Sequence, residues 1–302
     1  MRIFAFATAA SFLPRQLPSS SPARCRSTNR KRPTTCLTPP ASSVPSDASA
    51  ANNKFRAPRG QVFLVGTGPG DPGLLTLKAV HLLRTAQVVL YDRLVSDDIL
   101  SFINPSAEKV CVGKGRNLGT GSQRSIQEQI AYHASLGKRV VRLKGGDPAI
   151  FGRLGDELSY LRGEKGIEAG VVPGLTAASG AAASLGFPLT HGGVSEELRL
   201  ITGHSGRDKQ FEIAQVTEGS TLVVYMGLRE MGATLETLQK RGARKDLPAV
   251  AVQGATTAAQ RVVWGRVENL AARVEQVGLK SPTVVIIGEV VRMAHEWEET
   301  AK

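Results

Sequence analysis

The stretch QVFLVGTGPGDPGLLTLKAVHLLRT, residues 61–85, decides the fold. The apolar run VFLV has strand length, the glycines and prolines of GTGPGDPG break it, and the residues after them return to helical periodicity. Strand, glycine loop and helix in that order are the opening of a βαβ unit. Working outward, the same alternation continues. Strands are expected at 61–65, 88–91, 109–112, 139–143 and 169–172, with the clearest helices at 74–85 and 125–136, the second stopped by Gly137. A further series follows Pro173: a small-residue helix at 176–185, strands at 199–202, 221–226, 249–253, 261–264 and 283–290, and helices at 231–240 and 267–276. The reading is two α/β domains, 60–173 and 174–302, with a largely parallel sheet covered by helices and a ligand cleft between the domains. No repeat of fixed period is visible.

Residues 1–59 are of another kind. Ser, Pro, Thr and Ala make up 29 of the first 50 residues, too little apolar surface to offset chain entropy, so a disordered leader is expected there. The leader holds ten Lys or Arg and a single acid, Asp47, and so carries most of the formal +12. Residues 60–302 hold 28 basic and 25 acidic residues, which argues against a nucleic-acid partner. A basic, Ser-rich, acid-poor leader reads as an organelle transit peptide, with the plastid stroma ahead of the mitochondrion because of the Ser and Pro content. A secretory signal is the rival, since residues 3–13 are apolar. Cysteine usage opposes it: Cys25 and Cys36 lie in the leader, leaving Cys111 alone, where a buried strand position is expected. No apolar stretch is long enough for a membrane span.

Several loops carry groups suited to chemistry. Gly66 to Gly73 lacks both the G-x-G-x-x-G spacing of a dinucleotide site and the G-K-[ST] ending of a P-loop, and Pro69 and Pro72 remove donors that a phosphate cradle would use, so structural turn and binding site stay equally open. Asp92 follows a strand at the sheet edge where α/β ligands bind, as general base, helix cap or partner of Arg93. Lys114 follows the next strand as catalytic acid, anion clamp or solvated loop residue. The run RLKGGDPAIFGR at 142–153 packs two glycines, an acid and flanking cations into one loop, which favours function over packing. His191 and His204 lack partners at metal-ligand spacing, so no metal is expected.

Together these stretches resemble the tetrapyrrole methylase family, in the branch acting on uroporphyrinogen III. The resemblance rests on VGTGPGDPGLLTLK at 65–78, VVLYDRLV at 88–95, VGK at 112–114 and RLKGGDP at 142–148. It continues through VPGLTA at 172–177, PLTH at 188–191, YMG at 225–227 and SPTVVIIGEVV at 281–291. Order and spacing make the set specific, and it spans nearly all of the chain beyond the leader.

The resemblance implies two α/β domains of the tetrapyrrole methylase type with S-adenosylmethionine (SAM) in the cleft between them, and a homodimer. It implies transfer of methyl groups to ring carbons 2 and 7 of uroporphyrinogen III, giving the precorrin-2 that feeds sirohaem synthesis. A fused dehydrogenase or chelatase domain is not expected, since the two α/β domains leave no residues for one. The resemblance places SAM at Pro69, Gly145, Gly146, Asp147, Ile150, Thr176, Ala177, Met226 and Gly254, with Asp92 as proton acceptor and Lys114 as proton donor. A substrate with eight carboxylates calls for cations, and Arg93, Arg116, Arg142, Lys144 and Arg153 are candidates by loop position. The chain departs from the family pattern at Ala149, where an aromatic is usual, at Gly192, where an arginine is usual, and in a long glycine-rich segment after Lys114. The alternatives are a catalytically silent tetrapyrrole or SAM binder, or a sister enzyme of the same fold with another substrate.

Overall fold

The structure, a computed structural model, describes residues 60–112, 123–203 and 219–300. The expected leader, Lys114, Arg116 and His204 lie outside these residues. Both sheets described below belong to one compact unit, Lys54–Lys302.

The first sheet is wholly parallel. Its strands are β1 (Val62–Gly66), β2 (Val88–Tyr91), β3 (Glu108–Cys111), β4 (Val140–Lys144) and β5 (Ala169–Val172), in the spatial order β3-β2-β4-β1-β5. Parallel neighbours need crossovers. These carry α1 (Leu77–Thr85), the short α2 (Asp97–Leu100), α3 (Gln123–Ser135) and α4 (Leu154–Leu158), which runs on into a π-helical stretch over Ser159–Glu164. From β1 the chain crosses to β2 on one side, and from β4 it crosses to β5 on the other. The crevice beyond the carboxyl ends of β1 and β4 is therefore a topological switch point.

Helix α1 begins later than its apolar periodicity suggests. Asp71 accepts a hydrogen bond from Gly73 N at 2.7 Å and caps a single 3-10 turn, Pro72–Leu74. Thr76 then accepts from Ala79 N at 3.1 Å and opens the α-helix proper.

The second sheet contains β6 (Glu197–Thr202), β7 (Ser220–Tyr225), β8 (Pro248–Gln253), β9 (Arg261–Arg266) and β10 (Thr283–Ile287), in the order β6-β7-β10-β8-β9. Here the expectation of a largely parallel sheet fails. β6 and β7 run parallel, whereas β10 lies antiparallel to both β7 and β8, and β8 is antiparallel to β9. The cause is connection length: 254–260 is too short for a crossover helix and returns β9 beside β8. Helices α5 (Ala177–Ser184), α6 (Met231–Lys240), α7 (Leu270–Val277) and α8 (His295–Thr300) complete this half.

Each sheet is covered on both faces. Leu64, Leu90, Ile130 and Leu161 fill one face of the first sheet, and Val65, Leu83, Val89 and Leu143 fill the other. Leu235, Leu270, Val285 and Ile287 fill one face of the second sheet, and Val223, Val250, Trp264 and Ile286 the other. Full burial of each such side chain contributes about 1.5–3 kcal/mol, the scale that holds both layers together. Cys111 is a correction. It is exposed, because β3 is the outermost strand of the sheet among the described residues. Among the described residues no helix is long and apolar enough to cross a membrane, and no group of three His, Cys, Asp or Glu could hold a metal ion.

Candidate active site

Three loops meet at the switch point. Gly68 and Gly146 form an isolated bridge, with Gly146 N donating to Gly68 O at 2.8 Å and Gly68 N to Gly146 O at 3.2 Å. Thr67 N and Oγ1 both donate to Lys144 O. A Cβ on Gly174 would lie 2.3 Å from Gly146 O and 2.9 Å from Gly66 C, so only glycine lets the start of the second half close against the other two loops. Asp147 ties the junction. Its carboxylate accepts from Ala149 N at 2.7 Å and from Gly174 N at 3.2 Å.

The loop after β2 sits against the same junction. Leu94 Cβ lies 2.9 Å from where a Cβ on Gly145 would be, and Ser96 Oγ donates to Gly70 O at 3.0 Å. Asp92 is held at both oxygens: Oδ1 accepts from Leu94 N at 3.0 Å and Oδ2 from Arg142 Nη2 at 3.0 Å. Its side chain remains about one-quarter exposed, at 25%.

Behind Asp92 lies a buried charge cluster. Arg142 and Lys144 alternate along β4 on the face of Val140, and Glu157 of α4 meets them there. The side chains are 5%, 7% and 0% exposed respectively. Lys144 Nζ donates to Glu157 Oε1 at 2.8 Å, Gln123 Nε2 donates to the same oxygen at 3.1 Å, and Arg142 Nε stands 3.8 Å away. Burial pushes the Lys144 ammonium below the ordinary lysine range, and the Glu157 carboxylate opposes that shift.

The second half closes on this edge through α5 and the ends of β7 and β8. The Tyr225 hydroxyl accepts from Ala178 N at 3.0 Å and lies 2.5 Å from Thr176 Oγ1, anchoring the start of α5. Its ring stands 5.2 Å from that of Phe151. A Cβ on Gly180 would fall 2.6 Å from Pro69 Cγ, which explains the small-residue helix as close packing against the first glycine loop. Asp71 N donates to Thr256 Oγ1 at 3.2 Å across the same contact. Phe151, Arg153, Met226 and Thr256 all adopt positive φ despite carrying side chains, and all lie in loops after β4, β7 and β8. Backbone strain of this kind, about 1–3 kcal/mol per residue, clusters at functional edges.

Thus Pro69, Asp92, Gly145, Gly146, Asp147, Ile150, Thr176, Ala177, Met226 and Gly254 all lie on the loops or the helix start of this junction. The candidate cations divide. Arg93 is exposed, Arg153 is exposed and paired with Asp156 at 2.7 Å, and Arg142 and Lys144 are buried among partners of their own chain. Glu157, Phe151 and Tyr225 were not among the site residues the sequence suggests, although Phe151 and Tyr225 lie in the stretches 142–153 and 225–227 that carry the resemblance. Glu157 had a signal: two cations two residues apart on a central parallel strand, buried on both faces, require a buried counter-charge.

Residues 61–271 match the family described as Tetrapyrrole (Corrin/Porphyrin) Methylases. The chain belongs to the tetrapyrrole methylase family. Among curated relatives it is 47% identical over 247 residues to the chloroplastic S-adenosyl-L-methionine-dependent uroporphyrinogen III methyltransferase of Arabidopsis thaliana, covering 80% of this chain and 67% of that one. It is 46% identical over 245 residues to the siroheme synthase of Acinetobacter baylyi, covering 80% of this chain and 53% of the relative, so this methylase spans about half the length of such synthases. The uroporphyrin-III C-methyl transferase of Thermus thermophilus, solved with S-adenyl homocysteine, superposes with a TM-score of 0.63 at 38% identity, covering 78% of this chain and 100% of that one.

Proposed function

We propose that the chain is a SAM-dependent uroporphyrinogen III C-methyltransferase that adds methyls at ring carbons 2 and 7 to give precorrin-2 for sirohaem synthesis. The observation that carries this is Asp92: a partly exposed carboxylate, fixed at both oxygens, at the edge where Gly145–Asp147 and the start of α5 converge. SAM supplies an electrophilic methyl on a sulfonium, already a good leaving group, so the protein's task is chiefly to orient and to take a proton. The surroundings suit an adenosyl group. Met226 is 56% exposed and Phe151 39% exposed, giving apolar surface, and the space before Gly146 is open, with no atom within 4 Å of a Cβ placed there. Pro69, Gly145, Gly146, Asp147, Ile150, Thr176, Ala177, Met226 and Gly254 hold it in this reading. A pyrrole carbon becomes a better nucleophile as the macrocycle loses a proton, which Asp92 receives. Lys114 is the matching donor by family resemblance, and Arg93, Arg116 and Arg153 are the remaining cations for substrate carboxylates.

Residues 60–173 and 174–302 form the two α/β domains of this enzyme, and the protein works as a homodimer without a metal. Residues 1–59 form a transit peptide that directs it to the plastid stroma, in keeping with their composition and with a chloroplastic relative. The test is an anaerobic assay of the full chain with uroporphyrinogen III generated in situ and methyl-labelled SAM, counting methyls by mass spectrometry. Two methyls are expected, and D92N should reduce the rate by about 100-fold or more. Retained SAM binding without methyl transfer by the wild type would overturn the substrate assignment.

A further inference from the structure

Arg142 was a candidate for gripping the carboxylates of the substrate, yet its side chain is only 5% exposed. Its guanidinium is occupied from within. Nη1 donates to Leu143 O at 2.7 Å, Nη2 donates to Asp92 Oδ2 at 3.0 Å, and Nε faces Glu157 Oε1 at 3.8 Å. Glu157 is fully buried and is held in turn by Lys144 and Gln123. Two polar atoms of this cluster, Arg142 Nε and Glu157 Oε2, have no hydrogen-bond partner among the described residues. A cluster kept solely for stability would be unusual, because replacing buried ion pairs by apolar side chains is often neutral or stabilising.

The geometry points to Arg142 as a positioning residue: anchored by Leu143 O and Glu157, it fixes the Asp92 carboxylate at the angle from which that group takes the proton. Asp92 sits in a loop, where a carboxylate held by Leu94 N alone would rotate about its side-chain torsions. Nη2 removes that freedom from the second oxygen and leaves one lone pair on each oxygen for a proton. The anchoring helix α4 follows the Gly145–Asp147 loop, so the orientation of Asp92 is linked to the segment that meets SAM in the reading above. This inference rests on that reading, in which Asp92 is the proton acceptor.

The test compares R142M and R142K with D92N in the full chain, measuring kcat, KM for uroporphyrinogen III, and SAM affinity by calorimetry. R142M is expected to lower kcat by about 100-fold, the scale of a misplaced catalytic group, while KM and SAM affinity stay within about threefold. R142K keeps the charge but loses the planar fork, and should recover part of the rate; it also serves if R142M fails to fold. In the D92N background R142M should add little, because the two residues act as one unit. Unchanged kcat in R142M, a raised KM with unchanged kcat, or a fully additive loss in the double variant would each overturn the inference. If D92N itself kept wild-type activity, the Asp92 reading would fall and this inference with it. An inactive D92N beside a fully active R142M would overturn the inference alone.

Discussion

The two sheets use their interiors differently. In the first half the buried polar and charged residues include Arg142, Lys144 and Glu157, together with His133, Gln127 and Thr67. In the second half those described are Ser195, Ser220, Thr221, Thr234 and Thr283, all neutral hydroxyls. Ser195 and Thr221 bond each other at 2.7 Å, and Thr283 donates to Lys280 O at 2.7 Å. Buried charge thus sits under the parallel sheet's carboxyl edge, directly behind Asp92, while the mixed sheet is an apolar platform that contributes loop ends, a helix start and Tyr225. In the proposed reading the contrast separates a layer whose packing bears on chemistry from one whose packing mainly presents backbone.

Removing a buried partner gives the sharpest test of that contrast. E157A takes the buried ion-pair partner from Lys144 and leaves Arg142 with Asp92 alone, and should lower unfolding free energy by about 3–5 kcal/mol in urea titrations. A loss below about 1 kcal/mol would mean that the cluster is solvated in solution, and would erase the distinction between the halves.

Next in size is the junction between the halves. G174A forces a methyl against Gly146 O and Gly66 C, both backbone, and is expected to cost about 1–3 kcal/mol and to weaken SAM binding measured by calorimetry.

The charge cluster should also show in pH dependence. Because burial lowers the Lys144 pKa in the folded state, the unfolded chain binds more protons between that lowered value and the ordinary lysine range. Stability should therefore rise with pH across that window, by at most about 1.4 kcal/mol per pH unit, and K144M should remove the rise. Unfolding curves for both proteins between pH 7 and 10 check it, and equal slopes would show that Lys144 titrates normally.

The smallest effect is expected on the apolar platform. Gly232 lies in α6 with no atom within 4 Å of a Cβ placed on it, so G232A should raise stability by about 0.5–1 kcal/mol with methyl transfer unchanged. A loss of activity there would show that the packing of α6, and not only the loop ends of the second half, bears on methyl transfer.

Much of the site was legible before folding was considered. Asp92 could be placed because it directly follows VVLY, a strand the structure keeps at Val88–Tyr91, and strand ends are where such sheets bind ligands. The Gly145–Asp147 loop was legible for the same reason, following β4. Glu157 was not, since nothing in LGDELSYLRGE marks which acid faces the sheet until α4 is laid over β4. Tyr225 read as a strand end, and its hydroxyl acquires a task only when α5 starts beside it.

The sequence by itself determined the succession of strands, glycine loops and helices, and which loops carry Asp92, Gly145–Asp147 and Thr176, because periodicity and chain-breaking residues act over a few neighbours. Tertiary structure alone decided that the second sheet is mixed, that Cys111 is exposed on the outer strand of the first, and that Arg142 turns inward to Asp92 and Glu157. Strand pairing, burial and ion pairing join residues 50 and 15 positions apart in that cluster, and such distances are closed by packing of the whole chain.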